Sequence, residues 1–377
     1  MIKARDRTFL ISILLVALFL SCSRAPILIG FVSPESGTTN DLGIEATKGL
    51  TLALAEANAA GGIKGRRLDV IREDDGADPA ACLAAVQRLE AQKVRFIILH
   101  TTSAAAAKAI EWASTKDILV LTHTVSDPRW VGGDDNLIRF VSTIDGFGEA
   151  LRRYAEKLGV KTAYAAIDNR NLAYGEAIVD GFDRGEEAKA VVERVVLSGP
   201  PDPAAIAAAA IADKVGAVIL VVPGMDAAKV AQALHKAHFG GYLLLSPWSL
   251  DNNLLTYAGA FAPRILLPST LNFSDQDPSY LAFKDRFKRL YSTDPATSAI
   301  YAYEVTEFLA QGLSRAGSID PMAVKRSMLA NPVYKGVQFD YTLDANGDST
   351  SPLFIVGIDP KTGRLASVAT VSAERNK

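Results

Sequence analysis

The sequence predicts an α/β protein built as two doubly wound parallel-sheet lobes. Three observations lead there. Short apolar runs rich in Val, Ile and Leu alternate with alanine-rich, helix-favouring stretches along most of the chain, the pattern left by buried parallel strands and their crossover helices. The alternation breaks at Ser142–Gly148 and then restarts. The chain also has 377 residues, more than one hydrophobic core usually organises.

The first residues read as an export signal. Lys3, Arg5 and Arg7 precede an apolar run from Phe9 to Leu20, too short to span a bilayer comfortably, that ends in Ser21-Cys22. Leu20-Ser21-Cys22 resembles a bacterial lipoprotein processing site, so residues 1–22 form a lipoprotein signal and Cys22 becomes the lipidated tether. The alternative, an uncleaved anchor helix, also places the chain outside the cytoplasm, in the periplasm or cell envelope. No second long apolar segment follows, and the formal net charge of −2 comes without a basic cluster, which argues against nucleic acid as a partner. Cys82 lacks a second thiol to pair with and reads as a buried helix residue.

The elements follow in order. Ile27–Val32 is a strand and Ser33–Gly37 a turn. A helix over Asp41–Ala59 carries Leu42, Ala46, Leu50, Ala53, Leu54 and Ala57 on one side, and Gly61-Gly62 closes it. Leu68–Arg72 is the second strand, and Asp78-Pro79 opens a helix with Pro at its first position. Strands Phe96–Leu99 and Ile118–Leu121 flank a helix over Ala104–Ser114, and Leu137–Val141 is a further strand. After the restart, helices Glu149–Leu158, Tyr174–Glu186, Pro203–Asp213 and Ala227–Ala237 alternate with strands Thr162–Ile167, Val191–Val196, Ala217–Val222 and Tyr242–Leu245. Helices Pro278–Tyr291, Ile300–Ala316 and Pro321–Leu329 come next and are free to return to the first half. Strands Gln338–Leu343 and Pro352–Ile358 close the series around Asp344-Ala345-Asn346-Gly347-Asp348. That stretch lacks the downstream acidic ligand of a calcium loop, and its Asn-Gly is a hairpin signal.

Phe96–Pro128 carries the candidate site. Its crossover helix makes the two flanking strands parallel, so His100–Ser103 and Thr122–Ser126 lie side by side at the carboxyl edge where open α/β sheets bind ligands. Thr102 and Ser103 open the helix, whose N–H groups and dipole suit a carboxylate. The plainer reading is that these hydroxyls only cap helices. His123 alternates with Thr124 and is expected on the opposite face; a role in the cleft stays open beside the plainer reading of a structural histidine. His235 and His238 have helical spacing but no Cys or carboxylate to complete a metal site. Asp74-Asp75 and Glu186-Glu187 read as solvated ends. The dinucleotide fingerprint, phosphate loop, G-x-S-x-G elbow and zinc-protease motif are all missing, so neither enzyme chemistry nor a cofactor or metal is expected.

Ile27–Gly37, Gly43, Gly49, Glu56–Leu68 with its Asn58…Gly61-Gly62-Ile63…Gly65 spacing, Asp74–Pro79, Tyr174-Gly175-Glu176 and Tyr301–Glu304 resemble the branched-chain amino-acid-binding family, the type I periplasmic solute-binding proteins of ABC importers. The resemblance implies a clamshell of two lobes joined by three hinge crossings, near Ser142–Asp145, Leu267–Thr270 and Ser349–Pro352. Lobe 1 would hold residues 25–143 and 270–350, and lobe 2 residues 144–269 and 351–377. It further implies that Ser103, Thr102 and adjacent N–H groups seat a ligand carboxylate, while Thr124, through a backbone carbonyl, and Ser126, through its hydroxyl, address the ammonium and carboxylate region. Asp145 would face an ammonium, Tyr174 would close over the ligand, and Leu42 would stand near its side chain. Trp248 occupies the place of the family's acidic ammonium partner, so the expected ligand is an amino acid or a related, aromatic compound. Trp248 would stack on an aromatic or apolar ligand or over a cation, the plainer reading being core packing at a strand end. Both positions of the family's disulfide are also replaced, by Ala77 and Thr102. The implied function is capture of a small carboxylate-bearing molecule by a monomer tethered through Cys22, for delivery to an ABC permease. The alternative is a ligand-sensing subunit coupled to a signalling partner.

Overall fold

The computed structural model describes residues 24–133, 135–184 and 190–371. The export signal with Cys22, and Glu186-Glu187, fall outside them. Among the described residues no helix is long and apolar enough to cross a membrane.

The first half runs β1 (Ile27–Ser33), α1 (Asn40–Ala59), β2 (Leu68–Asp74), α2 (Pro79–Ala91), β3 (Phe96–Leu99), α3 (Ser103–Ala113), β4 (Leu119–Thr122) and β5 (Leu137–Arg139). All five strands are parallel, in the order β2-β1-β3-β4-β5. Side chains alternate across them. Ile29, Phe31, Ile98 and Leu121 point into one core, and Val32, Ile97, Leu99 and Val120 into another with Cys82 and Ala106.

The second half runs α4 (Ile144–Lys157), β6 (Ala163–Asp168), α5 (Leu172–Asp183), β7 (Val191–Leu197), α6 (Pro203–Ala212), β8 (Ala217–Val221), α7 (Gly224–Lys236), β9 (Tyr242–Leu245), α8 (Asn252–Tyr257) and β10 (Ile265–Ser269). The chain then returns to the first body with α9 (Pro278–Tyr291), α10 (Thr297–Arg315), α11 (Pro321–Ala330), β11 (Val333–Lys335), β12 (Asp340–Leu343) and β13 (Ser349–Thr350). It ends in the second sheet as β14 (Leu353–Ile358) and β15 (Leu365–Val371). That sheet has the order β15-β14-β10-β9-β8-β6-β7. Its core strands are parallel, and β14 and β15 add an antiparallel edge.

Two expectations change here. β10 extends the second sheet by a strand whose short run, interrupted by Pro268, carries little pattern of its own. Pro352–Ile358 does not pair with Gln338–Leu343 across the Asn-Gly turn. The short β13 does, while β14 is buried along its whole length and takes a two-sided seat between β10 and β15. The turn itself is held by Asp344 Oδ1, which accepts N–H groups from Asn346, Gly347 and Asp348.

Sequence signals set the punctuation. Asp78, Asp202, Asp277 and Asp320 each precede a Pro and accept N–H groups from the first turn of α2, α6, α9 and α11. Asn58 grips Leu68 through both its amide atoms, at 2.9 and 2.8 Å, so the Asn…Gly-Gly stretch docks α1 onto β2. Gly49 lets α10 lie directly on α1, since a Cβ there would stand 1.8 Å from the Ala299 carbonyl oxygen. This contact carries Tyr301 and Glu304 back to the carboxyl ends of the first sheet.

Candidate functional site

Leu99 and Thr122 are register partners on β3 and β4, so the residues that follow them, His100 and His123, stand together where both strands end. The Thr122 hydroxyl donates to the Leu99 carbonyl at 2.7 Å and accepts the N–H groups of Thr124 and Val125. That turn ends β4 before His123. Strand alternation therefore no longer applies, and His123 lines the cavity beside Thr124 rather than facing away.

The cavity, of about 110 Å³, lies between the two sheet bodies. The first body contributes Leu42, the loop His100–Ser103, His123, Thr124 and Ser126, with Thr297, Ser298 and Tyr301 from α10. The second contributes Phe147, Asn171, Tyr174, Trp248 and Leu250. Seven of the residues singled out in the sequence thus meet here: Leu42, Thr102, Ser103, Thr124, Ser126, Tyr174 and Trp248. Asn171, Tyr301 and Phe147 were not singled out as contacts, although Tyr301 belongs to one of the stretches that carry the family resemblance.

The hydroxyls divide into those already engaged and those left over. Thr102 Oγ1 accepts the Ala105 N–H as the helix cap, and Thr124 Oγ1 donates to the Thr101 carbonyl, which ties the two loops together. The Ala104 N–H is taken by Asn171 Oδ1, reaching over from the second body at 3.3 Å. Ser103 Oγ, at the first position of α3, is buried with no hydrogen-bond partner among the described residues, and the same holds for His100 Nδ1, His123 Nδ1 and Trp248 Nε1. Buried polar atoms of this kind ordinarily find partners, and these four all belong to residues that line one cavity.

No Asp, Glu, Lys or Arg is among the lining residues. Burial pushes His100 down to about 3, so that ring is neutral. Burial likewise raises the Tyr174 hydroxyl well above its ordinary range and keeps it protonated.

Asp145 is a correction. It does not line this cavity but a separate open groove of about 810 Å³, together with Glu149 and Arg153. Phe147 turns inward from α4, and a residue two positions earlier lies about 200° round the helix. Burial works to raise the Asp145 carboxyl, but the hydrogen bond from Arg184 Nη1 at 2.8 Å prevails and holds it below the usual range.

The two bodies also touch at the cavity rim. Asp41 accepts the Asn252 N–H at 3.0 Å and stands 3.4 Å from its side-chain amide. Leu42 packs against the core cluster of the second body.

Comparison with known proteins gives consistent results. A family model described as periplasmic binding protein matches residues 26–364. The chain is 24% identical over 338 residues to Leu/Ile/Val-binding protein homolog 1 of Brucella abortus (strain 2308), covering 88% of this chain and 90% of that protein. It is 26% identical over 330 residues to the Leu/Ile/Val-binding protein of Escherichia coli (strain K12), covering 85% and 87%. Among solved structures, the branched-chain amino acid transporter substrate binding protein LivJ from Streptococcus pneumoniae, in complex with isoleucine, superposes with a TM-score of 0.84 at 22% identity, covering 92% of this chain and 99% of that one. An ABC transporter solute binding protein from R. palustris in complex with benzoate gives 0.81 at 20% identity, covering 92% and 96%.

Proposed function

Because the chain belongs to the periplasmic binding protein family, we propose that it is the extracytoplasmic solute-binding protein of an ABC importer, capturing a small carboxylate with an apolar, aromatic body and no α-ammonium group. The observation that carries this reading is the composition of the cavity wall. Ser103 offers a free hydroxyl at a helix N-terminus, Tyr174 and Trp248 offer aromatic surface, and no lining side chain is acidic. A desolvated ammonium needs several kcal/mol of compensation, and Asp145, engaged with Arg184 in another groove, is not placed to supply it.

In this reading the carboxylate docks on Ser103 and the positive end of α3. The ring packs on Trp248 and Tyr174 of the second body. We take the lobes as residues 25–143 with 270–350, and 144–269 with 351–377, closing about the ligand through the segments that pass between them. Ligand favours the closed form only by contacts that the open form lacks, and the wall residues of the second body are those contacts. The Cys22 lipid would keep a monomeric binding protein beside its permease.

Isothermal titration of the purified protein with benzoate, phenylacetate, leucine and phenylalanine tests this. Affinity for an aromatic acid in the micromolar range, about −8 kcal/mol, with weaker binding of both amino acids, is expected. Tighter binding of leucine than of every aromatic acid overturns it.

A further inference from the structure

We infer that His123 is a specificity-determining residue, its Nδ1 lone pair accepting a hydrogen bond from a neutral O–H or N–H group on the bound acid. The inference rests on the reading above and adds the second polar group of the ligand.

The argument begins at Glu304, on α10 behind the cavity. Its Oε1 accepts the Val337 N–H at 2.7 Å and its Oε2 accepts the Tyr341 hydroxyl at 2.9 Å. Both oxygens act as acceptors, as a carboxylate's do. His123 Nε2 lies 2.9 Å from the Tyr341 oxygen and 3.3 Å from Glu304 Oε2. Tyr341 has one proton and gives it to Glu304, so both neighbours of Nε2 can only accept. The ring hydrogen must therefore sit on Nε2, and in the neutral ring Nδ1 keeps a bare lone pair.

That nitrogen is the unpartnered end of a rigid device. Tyr301 stacks on the imidazole at 4.1 Å between centroids and 13° between planes, and Tyr341 meets it edge-on at 5.4 Å. The Tyr301 hydroxyl is itself pinned to Thr270 Oγ1 at 2.7 Å. The imidazole is buried, it lines the cavity, and Nδ1 has no partner among the described residues. A buried acceptor of fixed direction discriminates strongly, because a ligand without a donor leaves it unsatisfied. The cavity thus presents Ser103 for the carboxylate and His123 for a donor, which selects hydroxy- or amino-substituted aromatic acids.

The test compares ring-position series of hydroxy-, amino- and fluorobenzoates by titration calorimetry, since fluorine approximates the size of the donors but donates nothing. At the ring position that reaches His123, the hydroxy and amino acids should bind about fivefold to tenfold tighter than the fluoro acid. Glu304→Gln supplies the second arm. The Val337 N–H will keep the amide oxygen on its own side, so the amide NH₂ takes the place of Oε2 and donates to His123 Nε2. The ring proton then moves to Nδ1. The advantage of the amino acid, whose nitrogen accepts poorly, should vanish, while the hydroxy acid can reverse its role and remain bound. Nitrogen-15 spectra of the wild-type imidazoles give a readout that does not depend on the variant folding, and His123 Nδ1 should report an unprotonated nitrogen. Equal affinity for amino and fluoro acids at every position, or a protonated Nδ1 in the wild-type protein, overturns the inference and leaves the proposed function standing. Failure of every aromatic acid to bind overturns both.

Discussion

Ser142 and Ser351, 209 positions apart, meet hydroxyl to hydroxyl at 3.0 Å, and Ser142 Oγ also accepts the Ser351 N–H at 2.9 Å. Each sits on a segment that passes from one sheet body to the other, so this pair fastens two of the three passes side by side. Ser142→Ala leaves the Ser351 N–H without its partner and should destabilise the fold by about 1–3 kcal/mol, whereas Ser351→Ala removes only a hydroxyl and should cost about 1 kcal/mol. Denaturant unfolding of the two single variants and the double should give a clear coupling energy. Simple additivity would mean that the two serines act independently.

Ser103→Ala separates binding from folding. Because Ser103 Oγ has no partner among the described residues, its removal should leave the melting temperature of the ligand-free protein unchanged. Affinity for the bound acid should fall by about 1.5–3 kcal/mol, the range for a hydrogen bond to a charged group. Calorimetry paired with thermal unfolding checks both halves.

Asp41 lines no part of the cavity, yet it joins the two bodies through Asn252. Asp41→Ala should weaken ligand binding about threefold to fivefold by loosening the closed form alone. Added salt should change the wild-type advantage little, since Asn252 carries no charge to be screened. An affinity equal to wild type at low ionic strength would show that the contact does not contribute to closure.

Glu307 gives a pH signature. Burial first, and then the neighbouring Glu56, push its carboxyl up to about 7 against an opposing pull from Arg286. The folded state therefore holds this proton more tightly than the unfolded chain, whose carboxyl titrates near 4.5. The stability this group contributes is complete below that value and is lost as pH rises through about 7. Glu307→Gln should match wild type at pH 4 and exceed it at pH 8, by roughly 2 kcal/mol after allowance for partial exposure. Urea midpoints measured across that range decide it.

The parts of the fold legible in the sequence are those fixed by local chemistry. Buried runs such as Phe96–Leu99 and Ala217–Val221 mark parallel strands on composition alone, and the Asp-Pro pairs mark four helix starts. The seat of β14 depends on pairing with β10 and β15, and strand pairing between distant segments leaves no local trace. At the site, Ser103 could be read because strand order and the family resemblance both point to the edge of the first sheet, whereas Trp248, beyond β9 of the second sheet, came from the resemblance alone. His123 fills both readings left open for it, buried against Tyr341 and lining the cavity, and only its facing differs from strand alternation, since the Thr122 turn stops alternation just before it. Asp145 leaves the cavity through the rotation of its helix, which turns Phe147 inward instead. Asn171 could not have been anticipated, because its contact with Ala104 comes from the opposite body and carries no motif.

That contact bears on how the proposed acid would dock. The amide oxygen of Asn171 already satisfies an N–H at the opening turn of α3, so docking of an anion there is an exchange of one oxygen for another rather than a simple gain. An incoming molecule succeeds by outcompeting a tethered neutral surrogate, and only a full negative charge has a decisive advantage in that contest. On the proposed reading, neutral amides, alcohols and sugars would gain less from that exchange than an acid does.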